Sequence, residues 1–186
     1  APVRAVSRGL PKQPSITRHH AAMPWVDVPA FFQAGIDGLN TSPVIRAALR
    51  FLILTAARSG EVRGATWGEV DLEAGLWAIP GHRMKAGKPH VVPLSVVALE
   101  VLEQAKAWRL EEGPGALVFP GERAGRPVSD MSLSMPLRRA GLTATVHGMR
   151  SAFRDWCGDA TTYPREIAEA ALAHTIGGVE RAYRRG

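Results

Sequence analysis

The chain has 186 residues, 46% hydrophobic and 22% charged, with 23 Lys and Arg against 17 Asp and Glu for a formal net charge of +6. That length buries well over half of the unfolded surface without disulfides, and the hydrophobic share excludes general disorder. The one cysteine, Cys157, excludes a disulfide scaffold and a thiolate zinc site, so a reducing, cytoplasmic setting is expected.

Residues 1–22 read as a basic linker or the remnant of an arm. Arg4, Arg8, Lys12 and Arg18 are interspersed with Pro2, Pro11 and Pro14, no acid precedes Asp27, and apolar material is too sparse to fold alone. One globular domain is expected over 23–186. Asp27 is placed to cap a first helix holding Val28 and Pro29, with Phe31 and Phe32 turned inward. Ser42 and Pro43 open a second helix reaching about Ala57. Val44, Ile45, Leu49, Leu52 and Ile53 make it apolar on most sides, the pattern of a central buried helix. Residues 76–79 and 90–94 read as strands separated by a turn that carries Gly81 and Gly87. Ser95 caps a helix to about Leu110, with Val97, Val101, Leu102 and Ala105 on its inner side. Residues 117–120 form a brief extended piece, and Ser129 caps a helix to about Arg139. Further helices are expected at 147–158, 164–173 and 178–185. The sum is a mainly α domain with one small antiparallel β-sheet. The longest apolar stretch, 47–57, is broken by Arg50 and too short to cross a bilayer, so no membrane partner is expected.

Charge alone favours a polyanion partner without naming one. Lys12, Lys85, Lys88 and Lys106 are the only lysines, which leaves 19 of the 23 basic residues as Arg. The Arg fork matches phosphate geometry better than an ammonium does.

Four short segments carry candidate chemistry. In Thr55-Ala56-Ala57-Arg58-Ser59-Gly60-Glu61 an Arg directly follows a buried helix, and a carboxylate three residues later can orient a neighbouring cation. The same Arg is equally accounted for by the helix dipole. Arg83-Met84-Lys85-Ala86-Gly87-Lys88-Pro89-His90 lies at a hairpin tip, where long cations meet either phosphate or plain solvent. Five residues separate Gly81 from Gly87 and Pro89 replaces the Ser or Thr, so this is not a Walker A loop. In Val146-His147-Gly148-Met149-Arg150 a His and an Arg three apart share a helix face, and Thr145 is placed to cap that helix. A satisfied buried His beside a surface Arg is the plainer reading of the segment alone. Finally, Leu172-Ala173-His174-Thr175 precedes Tyr183, which stands among Arg181, Arg184 and Arg185, a pattern that fits either packing on a solvated basic helix or a nucleophile in a positive field. No carboxylate pair is spaced for glycosidase work, and His19, His20, His82 and His90 lack metal spacing. Ser59-Gly60 is not a nucleophile elbow. No metal and no cofactor is expected.

Taken in order, Arg58, Lys85, His147-x-x-Arg150, His174 and Tyr183 form a set that resembles the catalytic domain of the tyrosine recombinases, the phage integrase family. The flanking text is similar too, from Ala57-Arg58-Ser59-Gly60-Glu61-Val62-Arg63 through Met84-Lys85 and His90-Val91-Val92-Pro93-Leu94-Ser95 to Leu172-Ala173-His174. It looks most like the integrases of prophages, satellite phages and genomic islands. The resemblance covers about residues 19–186 and implies that family's mainly α catalytic fold, with the small sheet carrying Lys85.

The resemblance also implies a chemistry on double-stranded DNA. Tyr183 would attack a phosphodiester to give a 3′-phosphotyrosine link and a free 5′-hydroxyl, conserving the bond energy without ATP or metal. Arg58 and Arg150 would hold the non-bridging oxygens of the transition state. His147 would be the base for Tyr183, Lys85 the general acid for the leaving 5′-oxygen, and His174 a further donor to the phosphate. Glu61 would orient Arg58 or His147. Arg63, Lys88, Arg154 and Arg181 would contact the DNA backbone rather than do chemistry. A type IB topoisomerase shares this chemistry, and a non-catalytic DNA-binding domain is the alternative of another class, which would have no use for Tyr183. The chain has Ala173 where many relatives have Gly, and ends three residues after Tyr183, where many relatives carry a docking tail. It is expected to be the catalytic domain of a longer integrase that forms homo-oligomers when full-length and on DNA.

Overall fold

The computed structural model describes residues 21–174. Arg181, Tyr183 and the helix expected at 178–185 lie outside the described residues.

The helical path opens earlier than expected, with a 3₁₀ turn at Trp25–Asp27 that runs through α1 (Val28–Ala30) into a wider π turn at Phe31–Gly35. Asp27 therefore lies inside the path and its side chain caps nothing. Phe31 is buried and Phe32 half-buried, as their positions predict. Helix α2 (Pro43–Thr55) follows. The Ser42 hydroxyl accepts from the Ile45 amide at 3.4 Å, and Pro43 takes the first-turn position where its missing N–H costs nothing. Ile45, Ala48, Leu49, Phe51 and Leu52 bury this helix. It stops at Thr55, two residues short of the expected end, because Ala56 adopts the left-handed conformation at φ 48°.

After the short α3 (Ser59–Arg63) come β1 (Val70–Asp71), β2 (Leu76–Ile79) and β3 (His90–Pro93). They form an antiparallel sheet in the order β1-β2-β3, with Val70 opposite Trp77, Trp77 opposite Val92 and Ile79 opposite His90. Alternation along β2 turns Trp77 and Ile79 inward. The Phe51 ring meets Trp77 at 5.1 Å and Phe119, from the extended 117–120 segment, at 5.6 Å between centroids. Helix, sheet and loop thus share one aromatic centre, and burial of each ring contributes roughly 1.5–3 kcal/mol.

Helix α4 (Val96–Ala105) is capped by the Ser95 hydroxyl, which accepts from the Ala98 amide at 3.2 Å. It ends five residues before Leu110, tightening into a 3₁₀ turn at Lys106–Trp108. The inward set is Ala98, Val101, Leu102 and Ala105, while Val97 is exposed. The i, i+3, i+4, i+7 spacing selects Ala98 over Val97. Ser129 does not cap a helix. Its hydroxyl lies 2.8 Å from that of Ser132 in a turn, and α5 (Ser134–Arg139) begins after the buried Leu133. Pro136 then falls in the first turn, where no amide partner is needed.

Helices α6 (Gly148–Ala160) and α7 (Arg165–Ala171) complete the described chain. The Thr145 hydroxyl accepts from the Gly148 amide at 3.0 Å, the expected cap. The Ala21 carbonyl crosses this end, accepting from the Thr145 amide at 2.9 Å. A Cβ on Gly148 would stand 2.1 Å from that carbonyl oxygen, so only glycine fits there. Helix α7 closes in a Schellman turn. Ala173 is left-handed at φ 50°, its amide donates to the Ala170 carbonyl, and the His174 amide donates to the Glu169 carbonyl, both at 2.9 Å.

Candidate active site

The left-handed Ala56 reverses the chain so that Arg58 sits in extended backbone at the head of α3. Glu61, one turn on, is 5% exposed. Its carboxylate takes the Arg58 amide and the Arg58 guanidinium, each at 2.8 Å. Both the backbone and the fork of Arg58 are thereby fixed by one buried acid.

Arg150, on the first turn of α6, is 4% exposed. Its guanidinium donates to the Ala56 carbonyl and, at 2.6 Å, to the Leu172 carbonyl, and lies 3.3 Å from His174 Nε2. Three segments distant in sequence therefore meet on this side chain. Burial above all, and then the nearby Arg58, push the Arg150 pKa down to about 10, with Glu61 partly opposing. Arg150 remains a cation at neutral pH, beside a second cation that is itself paired with Glu61, which makes an environment short of negative charge.

His174 is held from the other side. Its Nδ1 stands 2.6 Å from Glu169 Oε2, and Arg154 meets the other Glu169 oxygen at 2.9 Å. Glu169 is a site residue that motif reading misses. A separation of five is not a helical neighbour spacing. It becomes a contact because the Schellman turn folds His174 back over α7.

His147 is exposed at the N-cap position of α6, three residues from Arg150. Lys85 is exposed on a turn closed by the Gly87 amide donating to the Met84 carbonyl at 3.0 Å, with Gly87 at φ 68°. Arg83 anchors the base of that turn, donating to the Glu69 carboxylate and to the Glu61 carbonyl. The Lys85 loop is thus tied to the same short helix that presents Arg58. Of the other expected DNA contacts, Lys88 is exposed on this loop and Arg154 is half-committed to Glu169. Arg63 is half-buried and gives its Nη1 to the Val128 carbonyl at 3.1 Å, an internal bond.

Cys157 is buried and burial raises its thiol pKa, which leaves it a poor nucleophile. Among the described residues no group of three or more His, Cys, Asp or Glu is placed to hold a metal ion. No helix among them is long and apolar enough to cross a membrane.

The profile described as the phage integrase family matches residues 32–184. The chain belongs to the phage integrase family. Its similarity to prophage integrase IntZ of Escherichia coli K12 is 36% identity over 167 residues, covering 89% of this chain and 40% of that protein. The integrase of Enterobacteria phage P4 is 30% identical over 175 residues, covering 85% of this chain and 39% of that one. The chain thus spans about two-fifths of the length of these relatives. The fold is similar to that of a lambda integrase fragment described as a dimer bound to a COC' core site, with a TM-score of 0.66 at 18% identity, covering 95% of this chain and 68% of that one. It is also similar to the XerA recombinase, with a TM-score of 0.65 at 14% identity and coverage of 98% and 66%. Family membership agrees with the resemblance read from the ordered motifs, and the mainly α fold with a three-stranded antiparallel sheet is the one expected.

Proposed function

We propose that residues 23–186 are the catalytic domain of a site-specific DNA recombinase that cuts and rejoins double-stranded DNA through a 3′-phosphotyrosine intermediate. The observation that carries this reading is the convergence of Arg58 and Arg150, one fixed by Glu61 and the other by two backbone carbonyls, with His174 at hydrogen-bond distance. Two guanidiniums fixed before the substrate arrives suit a transition state that gathers negative charge on non-bridging oxygens. Relatives named as integrases and a neighbour described on its core-site DNA support the same substrate.

In this mechanism Tyr183 is the nucleophile and His147 takes its proton. Lys85, on its solvent-facing turn, protonates the departing 5′-oxygen. Arg58, Arg150 and His174 bind the phosphate. Glu61 acts through Arg58, while Lys88, Arg154 and Arg181 contact the backbone. Residues 1–22 serve as a basic linker, homo-oligomers form when the full-length protein is on DNA, and the site of action is the cytoplasm. Type IB topoisomerase activity is not favoured, because the relatives are integrases and recombinases.

The test is a nicked suicide duplex carrying the protein's own attachment site. The parent protein forms a protein–DNA adduct that survives denaturant, and the Tyr183→Phe variant forms none. Persistence of the adduct in Tyr183→Phe removes the nucleophile assignment, and free relaxation of plasmids lacking the site favours the topoisomerase reading.

A further inference from the structure

We propose that Glu169 is the positioning residue of His174, fixing which imidazole nitrogen carries the proton and supplying the negative charge that lets the ring become a phosphate donor. This rests on the recombinase reading of the site and adds a residue to it.

The geometry holds His174 at two points of one residue. The Glu169 carbonyl accepts the His174 amide at 2.9 Å, and Glu169 Oε2 lies 2.6 Å from the ring Nδ1. A carboxylate can only accept, so Nδ1 carries hydrogen. The other ring nitrogen, Nε2, faces the Arg150 guanidinium at 3.3 Å, and a guanidinium can only donate. In the DNA-free state His174 is therefore the neutral Nδ1–H form, with the Nε2 lone pair spent on Arg150.

A phosphate oxygen is an acceptor, so Nε2 cannot bond to it in that form. A proton from solvent must add to the Nε2 lone pair. Arg150 then gives up this contact and keeps its bond to the Leu172 carbonyl. The resulting imidazolium is surrounded by cations. Arg150 faces it from α6, with Arg58 beyond and Glu61 paired to Arg58. Behind Glu169 stand Arg154 at 2.9 Å and Arg165 at 3.8 Å from its Oε1. Glu169 is the one carboxylate against the ring among the described residues. Its side chain is 14% exposed. Burial alone would raise its pKa, but the bond from His174 and the charge of Arg154, with that of His174 once the ring is protonated and that of Arg165, outweigh this and hold it ionised. Arg154 and Arg165 face Oε1 as charges without a hydrogen bond to it, while Oε2 meets the ring.

Two variants separate orientation from charge. Glu169→Gln keeps a carbonyl oxygen that accepts from Nδ1–H but loses the charge. Glu169→Ala loses both. Ring ¹⁵N shifts of His174 in the 186-residue chain at pH 8 report the tautomer without any activity. The expected result is Nδ1–H in the wild type and Glu169→Gln, and a mixture shifted toward Nε2–H in Glu169→Ala, where only the Arg150 contact still selects Nδ1–H. With the parent protein on the nicked duplex, Glu169→Gln is expected to form adduct at least about tenfold more slowly at pH 8 and to recover most of that loss at pH 6. The proposal is overturned if Glu169→Ala keeps the Nδ1–H form as fully as the wild type, or if Glu169→Gln matches the wild type at both pH values. Should Glu169→Ala fail to fold, Glu169→Gln, which retains the acceptor, decides alone through its pH dependence. If the wild type itself yields no adduct, the recombinase reading falls, and the ring shifts still decide whether Glu169 sets the tautomer.

Discussion

Ala56 and Leu172 give their carbonyl oxygens to one guanidinium, that of Arg150. Each sits at the C-terminal end of a helix, α2 and α7, where carbonyls lack intrahelical partners and the helix dipole is negative. The two helix ends solvate a cation that water no longer reaches, and in return Arg150 joins the segments bearing Arg58 and His174.

Removing that guanidinium should leave two carbonyls without partners. Arg150→Ala is expected to lose about 2–4 kcal/mol in urea unfolding and to abolish adduct formation. Arg150→Lys keeps the charge but cannot bridge both carbonyls, and should cost at least about 100-fold in adduct rate. A Lys variant with wild-type cleavage would show that the fork is dispensable.

Among the described residues, the two non-glycine residues at positive φ predict opposite responses. Ala173 is half-exposed, and left-handed backbone costs a residue with a Cβ roughly 1–2 kcal/mol. Ala173→Gly should relieve part of this and raise Tm by about 1–4 °C. Ala56 has a similar φ, but its methyl is buried, so Ala56→Gly forfeits packing and should gain nothing. Thermal melts of the two variants read the difference directly, and a lower Tm for Ala173→Gly would contradict it.

An anion should stabilise the unliganded chain, since Glu61 is paired with Arg58 and Arg150 is held by backbone carbonyls. Inorganic phosphate at ten times its Kd adds about 1.4 kcal/mol, or about 3–6 °C in Tm for a chain of this size. Arg58→Ala should lose most of the shift. An equal shift in the variant would place phosphate elsewhere.

Acid should loosen the His174 end of the site. The folded Glu169 carboxyl is held below its usual range, so its contribution is fully present above the unfolded value near ~4.3 and is lost as pH falls through the folded value. The stability gap between the wild type and Glu169→Gln should therefore narrow below about pH 4. Urea unfolding across pH 7 to 3 measures it, and a constant gap would contradict the assignment.

Local rules made much of this legible. Ser42 and Ser95 announce α2 and α4 because a hydroxyl before an apolar run satisfies an amide that the helix cannot. The order Arg58, Lys85, His147, Arg150 and His174 was readable because the residue types answer to one phosphate chemistry. What escaped depends on contacts between distant segments or on irregular backbone. Strand β1 has two residues, too few for an alternation. Ser129 has the composition of a cap, yet its hydroxyl turns to Ser132. Glu169 meets His174 only because the left-handed Ala173 reverses the chain. Arg83 meets the Glu61 carbonyl only once sheet and helix have packed.

The most direct measurement is mass spectrometry of the denatured, protease-digested adduct formed on the nicked attachment-site duplex. The chain has two tyrosines, and Tyr163 is 66% exposed and serves as an internal control. The predicted result is a nucleotide joined through its 3′-phosphate to the peptide containing Tyr183, with the Tyr163 peptide unmodified. A nucleotide on Tyr163, on a serine or on Cys157 would contradict the account at its centre.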